Sequence, residues 1–304
     1  MDLTRIASVV EDYETGASEA DKARLEFFLG LYRIEQDLAD KVAAAEPYNA
    51  PRADDIEGWY WAGQPVLGHA PAAVDASAFA EAAREISSWT VERAGLIPAA
   101  AQALAAFDWE AFAKDANLAQ AVTEPPAFIE EVLGNLDSFG APAALPGPVF
   151  AMVLTAALRV FLQQASEAVM ANAPKGATEH DRPLRCPVCG MPAAASAVGD
   201  TPESEGKGRR QYCSLCGARW SFERIRCGNC GTRNQGHLHY HHVEGDPAHR
   251  LQTCDECRGY QRVVFQDELS TAPCMEVEDV VMARLDQVAL SPRFGELLAQ
   301  EAKE

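Results

Sequence analysis

Four C-x-x-C pairs, Cys186/Cys189, Cys213/Cys216, Cys227/Cys230 and Cys254/Cys257, take up every cysteine of the chain except Cys274. Two thiolates separated by two residues lie on one side of a tight turn and supply half of a tetrahedral four-sulfur shell for a metal ion. Gly190, Gly217 and Gly231 directly follow the second cysteine of their pairs, where such a turn calls for left-handed backbone. The fourth pair departs, with Arg258 ahead of Gly259. Pro187, inside the first pair, presets its turn. These eight cysteines are the candidate metal ligands.

The spacing repeats. Twenty-three residues separate the first pair from the second, and the same number separates the third from the fourth, a displacement of 41 positions. Arg209-x-Gln211-x-Cys213 recurs as Arg250-x-Gln252-x-Cys254, and a strand-like run follows each closing pair, 219–226 and 260–266. The chain therefore reads as a duplicated metal-binding module. Ten residues without a turn signal lie between Cys216 and Cys227. Read as a strand at about 3.3 Å per residue, they hold the second and third pairs about 30 Å apart. That favours closure of the first pair with the second, and of the third with the fourth.

Residues 1–14 show no basic start followed by an apolar core, so no secretory leader is expected and a reducing, cytoplasmic setting follows. There, paired C-x-x-C motifs read as metal-binding or redox motifs rather than disulfides. Iron–sulfur clusters also use four cysteines, but two complete sets suit mononuclear ions better. Zinc and iron both satisfy the spacing.

A chain of 304 residues, 48% hydrophobic, is long enough for two domains with substantial cores. The run nearest to a membrane span, 149–158, stops at Arg159 and reads as a buried helix. Net charge is −19 and unevenly spread: residues 181–262 carry twelve Arg and Lys against nine Asp and Glu, leaving about −22 elsewhere. Two four-thiolate shells around divalent ions would each add about −2. The arginines then serve largely as compensation, and the balance argues against a nucleic-acid surface.

Helical spacing predicts a long helix over 18–46, shorter ones over 75–89, 97–107, 109–122 and 127–136, and another long one over 148–171. Four prolines make 47–76 a loop, within which Trp59-Tyr60-Trp61 either caps the helical core or offers a partner surface. The first half shows no catalytic constellation. Residues 173–183, with two prolines and a glycine, form the expected hinge. Helical spacing returns over 275–290, and this helix is expected to pack back on the chain. The acidic end from Gly295 is expected to fray. The expected division is thus a helical domain, 1–177, a metal module, 178–270, and a C-terminal helix, 271–304. Alternation places His237, His239 and His241 on one face of a strand, as edge-strand histidines or as an added ligand or proton-responsive surface. Cys274 reads as a buried, inert thiol.

Taken together, Cys186-Pro-Val-Cys-Gly190, Tyr212-Cys-Ser-Leu-Cys216, Arg226-Cys-Gly-Asn-Cys230, Leu238-His-Tyr240 and Cys254-Asp-Glu-Cys257 resemble the bacterial formate dehydrogenase accessory protein family, FdhE. The resemblance implies an α+β chain: an all-helical N-terminal domain, a duplicated rubredoxin/zinc-ribbon-like module of short antiparallel strands, and a C-terminal helix. It implies a non-enzymatic, cytoplasmic, chaperone-like maturation factor. Its partner would be the catalytic subunit of a respiratory molybdenum formate dehydrogenase, bound before twin-arginine export. It also implies two mononuclear iron ions on the cysteines, with zinc the alternative. A rubredoxin-like one-electron carrier and a zinc-ribbon nucleic-acid binder are the competing function classes. Arg219, Trp220, Arg224 and Arg226 are the candidate partner-binding residues, placed in a groove between the helical domain and the metal module; alternatively these arginines only screen thiolate charge.

Overall fold

In the computed structural model, which describes residues 1–176, 180–201, 206–292 and 294, side-chain caps set where many helices of the first half begin. Helix α1 (Leu3–Glu14) starts under Asp2, whose carboxylate accepts from the Arg5 N–H. Helix α2 (Glu19–Ala45) starts under Ser18 in the same way. Helix α3 (Ala53–Trp61) and a 3₁₀ turn, Val66–Gly68, follow. Asp75 caps α4 (Ala76–Arg93), and a first-turn proline opens α5 (Pro98–Ala105). Asp108 caps α6 (Trp109–Asp115), and Asn117 caps α7 (Leu118–Thr123). Helices α8 (Pro125–Gly134) and α9 (Gly147–Ala171) complete the set. Such caps satisfy N–H groups that a helix leaves unpaired.

The first half departs from expectation in three places. Residues 3–14 form a helix that spacing alone did not single out. The loop expected over 47–76 contains α3 and the 3₁₀ turn. The helix expected over 109–122 breaks at Ala116, because Asn117 caps a new one. Helix α9 is long and apolar enough to cross a membrane, but 72% of its most apolar window is buried. It is the central helix of the core.

The sheet has six strands: β1 (Ala195–Asp200), β2 (Lys207–Tyr212), β3 (Arg219–Phe222), β4 (Leu238–His242), β5 (His249–Cys254) and β6 (Tyr260–Phe265). Their order is β3-β2-β1-β6-β5-β4. Each repeat contributes three antiparallel strands, and the halves join where β1 runs parallel to β6, Ala195 opposite Arg262. Equivalent strands thus point the same way, so the duplication is a translation along one sheet. A buried polar seam stitches it. Arg209, 1% exposed, donates to Ser196 Oγ (3.0 Å), the Arg226 carbonyl (3.1 Å), Gln252 Oε1 (2.9 Å) and Gln261 Oε1.

Beyond the sheet, the helix expected over 275–290 divides at Met282 into α10 (Met275–Val281) and α11 (Ala283–Ala289). Helix α10 packs with α1 and α2 around Ile6, Val9, Leu25, Cys274 and Val277. The frayed end expected from Gly295 lies outside the described residues. The result is an α+β chain whose helical N-terminal region meets a duplicated, zinc-ribbon-like sheet.

Candidate metal centres

Each cysteine pair sits on the same backbone turn. The N–H of the first cysteine donates to the carbonyl five residues on: Cys186 to Met191 (2.8 Å), Cys213 to Ala218 (2.9 Å), Cys227 to Thr232 (2.8 Å) and Cys254 to Gly259 (3.1 Å). The N–H four residues on, from Gly190, Gly217, Gly231 and Arg258, returns to that cysteine's carbonyl at 2.8–3.0 Å. These four residues have φ of 80°, 76°, 81° and 55°. Glycine is the residue that takes this conformation at least cost. Arg258 takes it with a side chain, and no other described non-glycine residue has positive φ.

The fold gathers the sulfurs of Cys186, Cys189, Cys213 and Cys216 into one group and those of Cys227, Cys230, Cys254 and Cys257 into a second, with all ligand atoms of a group within 4.8 Å of one another. Across the first group, Cys186–Cys216 and Cys189–Cys213 are 3.5 and 3.6 Å apart; across the second, Cys227–Cys257 and Cys230–Cys254 are both 3.8 Å apart. A disulfide needs about 2.05 Å. A tetrahedral ion with bonds of about 2.3 Å to sulfur spaces its ligands at about 3.8 Å. The residues therefore fit a four-sulfur ion at each position, and zinc and iron both take such a shell. Burial raises the thiol pKa values of Cys186 and Cys189 well above the usual range. It opposes the Cys216 thiolate as well, yet hydrogen bonds from Cys186, Cys189 and Cys213 hold that pKa well below the usual value. A cation in their midst would let all four ionise.

The first group belongs to the helical core. Cys186, Val188, Cys189, Cys213, Leu215 and Trp220 share one apolar cluster with α2, α4 and α9. Two N–H groups of the 3₁₀ turn, from Val66 and Leu67, donate to the Pro187 and Val188 carbonyls at 2.9 and 3.0 Å. This is the role of the segment that reads as a loop. From the other side, Arg159 of α9 donates to the Ser214 carbonyl (2.7 Å) and the Tyr212 hydroxyl (3.1 Å). Arg159 is itself flanked by Glu35 (3.4 Å) and Glu276 (3.7 Å). Burial pushes the Glu35 carboxyl up to about 7, against the pull of Arg159.

The second group rests on the sheet's polar seam. Gly228 lies so close to Gln261 and Gln211 that a Cβ there would fall 2.0 Å from Gln261 Oε1. Arg209, beneath, holds the carbonyl of Arg226, which precedes Cys227.

Of the four arginine and tryptophan side chains expected to meet a partner, Trp220 is buried and its indole N–H donates to the Pro183 carbonyl at 2.9 Å. Arg226 is buried and spends its guanidinium on Arg182, Glu223 and Gly231. Arg219 pairs with Glu276 and lines a cavity of about 650 Å³ between α1, α9 and the second cysteine turn, together with Arg5, Glu167 and Cys274. Arg224 is exposed beside exposed Ile225. Of the hinge expected over 173–183, residues 177–179 lie outside the described ones, while the Arg182 N–H is held by Glu223 and its guanidinium stacks on Trp61.

His239 and His241 lie on β4, an edge strand, bonded to Asp255 and Thr253 at 2.9 Å, and His237 approaches Glu256 at 3.3 Å. None of them joins either sulfur group. Cys274 is buried, its thiol pushed up to about 11 by burial. Tyr60 is buried, while Trp59 stacks on His69. One cluster had no sequence signal: buried His249 bridges Asp246 (2.8 Å) and Glu278 (2.9 Å), and Tyr13 of α1 donates to the same Glu278 carboxylate at 2.7 Å.

A family model described as FdhE, central domain, matches residues 185–224, the stretch that carries the first cysteine group. The chain is 31% identical over 112 residues to a protein named FdhE homolog from Shewanella sp. (strain MR-4), covering 36% of this chain and 35% of that one. It is 32% identical over 120 residues to the FdhE homolog of Aquifex aeolicus (strain VF5), covering 38% and 41%. The matches thus span well under half the length of these curated relatives. The crystal structure of the FdhE protein from Pseudomonas aeruginosa shares the fold, with a TM-score of 0.50 and 22% identity over 94% of this chain and 88% of that one. The central-domain match lies on the first cysteine group, and over this part of the chain the similarity is to proteins of the FdhE name.

Proposed function

We propose that this chain is a formate dehydrogenase accessory factor, a metal-stabilised platform that holds the enzyme's catalytic subunit during maturation in the cytoplasm. The observation that carries this reading is the closed four-sulfur set in each repeat. Four protein thiolates leave no open position for substrate or activated water, which is the mark of structural rather than hydrolytic sites. The eight cysteines serve as ligands to two mononuclear ions, iron by family resemblance. The duplicated sheet and the α1–α9 framework then form a rigid body with surface to spare for a partner.

The proposed contact is the cavity beside Arg219 together with the exposed Arg224–Ile225 corner. Arginine and large apolar side chains commonly anchor interfaces, and Trp220 and Arg226 support this surface from beneath. The test is co-purification of a formate dehydrogenase catalytic subunit with the wild-type chain and with an Arg219→Gln/Arg224→Glu variant of intact metal content. Loss of capture in the variant alone supports this surface. Equal capture by both moves the contact elsewhere, and no capture by the wild-type chain removes the reading altogether.

A further inference from the structure

The two centres differ in one property that the duplication does not predict. All four sulfur ligands of the first are buried, at 0–1% exposure. In the second, Cys227 and Cys254 are buried, but Cys230 and Cys257 are exposed. The difference is written into the turns. The residue ahead of the second cysteine is Val188 and Leu215 in the first centre, both buried in the helical core. Displaced by 41 positions, the same places hold Asn229 and Glu256, both exposed. Pro65 lies against Gly190, and Arg159 against Gly217. Around the second centre stand the exposed pairs His237–Glu256 and His239–Asp255 instead.

We propose that the centres divide their duties. The first is a permanent structural core, and the second is an exchange centre whose ion enters and leaves through Cys230 and Cys257. An apolar shell controls the access of water and competing ligands to a metal site, and only the first centre has one. At the second, the exchange is a ligand substitution. Cys257 Sγ releases its bond to the ion as an incoming thiol sulfur forms one, and the freed thiolate takes up the proton that the incoming thiol lost. No electron changes hands. The competing ligand is a small thiol, which can reach the sulfurs at the exposed Cys230 and Cys257.

The experiment uses the full chain loaded with zinc and challenged with isotopically labelled zinc, the bound isotopes being read by mass spectrometry. Two phases of equal amplitude are expected, with rates at least ~10-fold apart, the lower end of what an outer shell contributes to a metal site. Brief alkylation followed by peptide mapping should mark Cys230 and Cys257 ahead of Cys186, Cys189, Cys213 and Cys216. In an Asn229→Val/Glu256→Leu variant, which copies the first centre's apolar residues, the fast phase should slow. A single phase, or first labelling of cysteines 186–216, overturns the division. If the variant does not fold, the wild-type labelling order still decides. No formate dehydrogenase is present, so the outcome is independent of the partner assignment.

Discussion

Arg159 Nη1 donates to the Ser214 carbonyl at 2.7 Å, so the central helix of the chain holds the turn that carries half of the first metal centre. The same guanidinium lies between buried Glu35 and Glu276, which belong to α2 and α10. One side chain therefore ties the helical framework, the sheet and the C-terminal helices to the metal turn. Removing one partner of a buried ionic group leaves uncompensated charge and costs about 3–5 kcal/mol. Arg159→Leu should lower the unfolding free energy by about that amount, measured by urea denaturation of metal-loaded protein. A loss below about 1 kcal/mol would mean that Arg159 only fills space.

The His249 cluster makes stability depend on pH. Burial disfavours the imidazolium, but hydrogen bonds to Asp246 and Glu278 overcome it and raise the pKa from 6.5 to about 9. A raised histidine pKa gives stability that is complete below the unfolded value and is lost as pH climbs to the folded one. The window here is pH 6.5 to about 9, and at 1.36 kcal/mol per unit the loss is on the order of 3 kcal/mol. Tyr13 and Arg284 meet the same carboxylates, so α1 and α11 should loosen together. Hydrogen exchange across residues 3–14 at both ends of that window checks this, and unchanged protection would remove the clamp.

Arg258 occupies the left-handed position that glycine fills in the other three turns. A side chain in that conformation costs roughly 1–2 kcal/mol, and glycine's freedom in the unfolded chain offsets about 0.5–1 kcal/mol of any gain. Arg258→Gly should therefore leave metal content unchanged and raise the denaturation midpoint slightly. A lowered midpoint would show that the Arg258 side chain contributes more than its backbone costs.

Iron and zinc separate in a visible spectrum of aerobically purified protein, because ferric thiolate centres absorb there and zinc thiolates do not. With iron in both centres, Cys230/Cys257→Ser should remove about half the visible absorbance. A colourless wild-type chain whose metal analysis returns two zinc ions would replace iron in this account.

The two four-cysteine groups were the most legible part of the sequence. A cysteine pair at i, i+3 encodes its own turn, and a 23-residue interval written twice leaves little freedom in pairing. Helices with strong caps or long apolar stripes, α2 and α9 above all, were legible for the same local reasons. Arg159 was not, because along the sequence it reads as the polar stop of an apolar run rather than as the core's ionic hub. Neither was α3 with its following 3₁₀ turn, since prolines 51 and 65 signal a loop, while the backbone bonds that order the turn come from the distant Pro187 and Val188. His249 gave no signal because, apart from nearby Asp246, its partners Tyr13 and Glu278 lie 236 and 29 residues away. The contrast of Val188 and Leu215 with Asn229 and Glu256 is present in the sequence, but its meaning depends on which turns face the helical core.

Metal stoichiometry of one variant tests the central claim, that each repeat closes its own centre, most directly. With Cys227, Cys230, Cys254 and Cys257 all changed to serine, the first repeat keeps a complete four-sulfur set. One of two ions per chain should be retained, with the α9-centred core still folded. If the pairs closed across the repeats, the same variant would leave each shell half empty, and the measured metal would fall to zero.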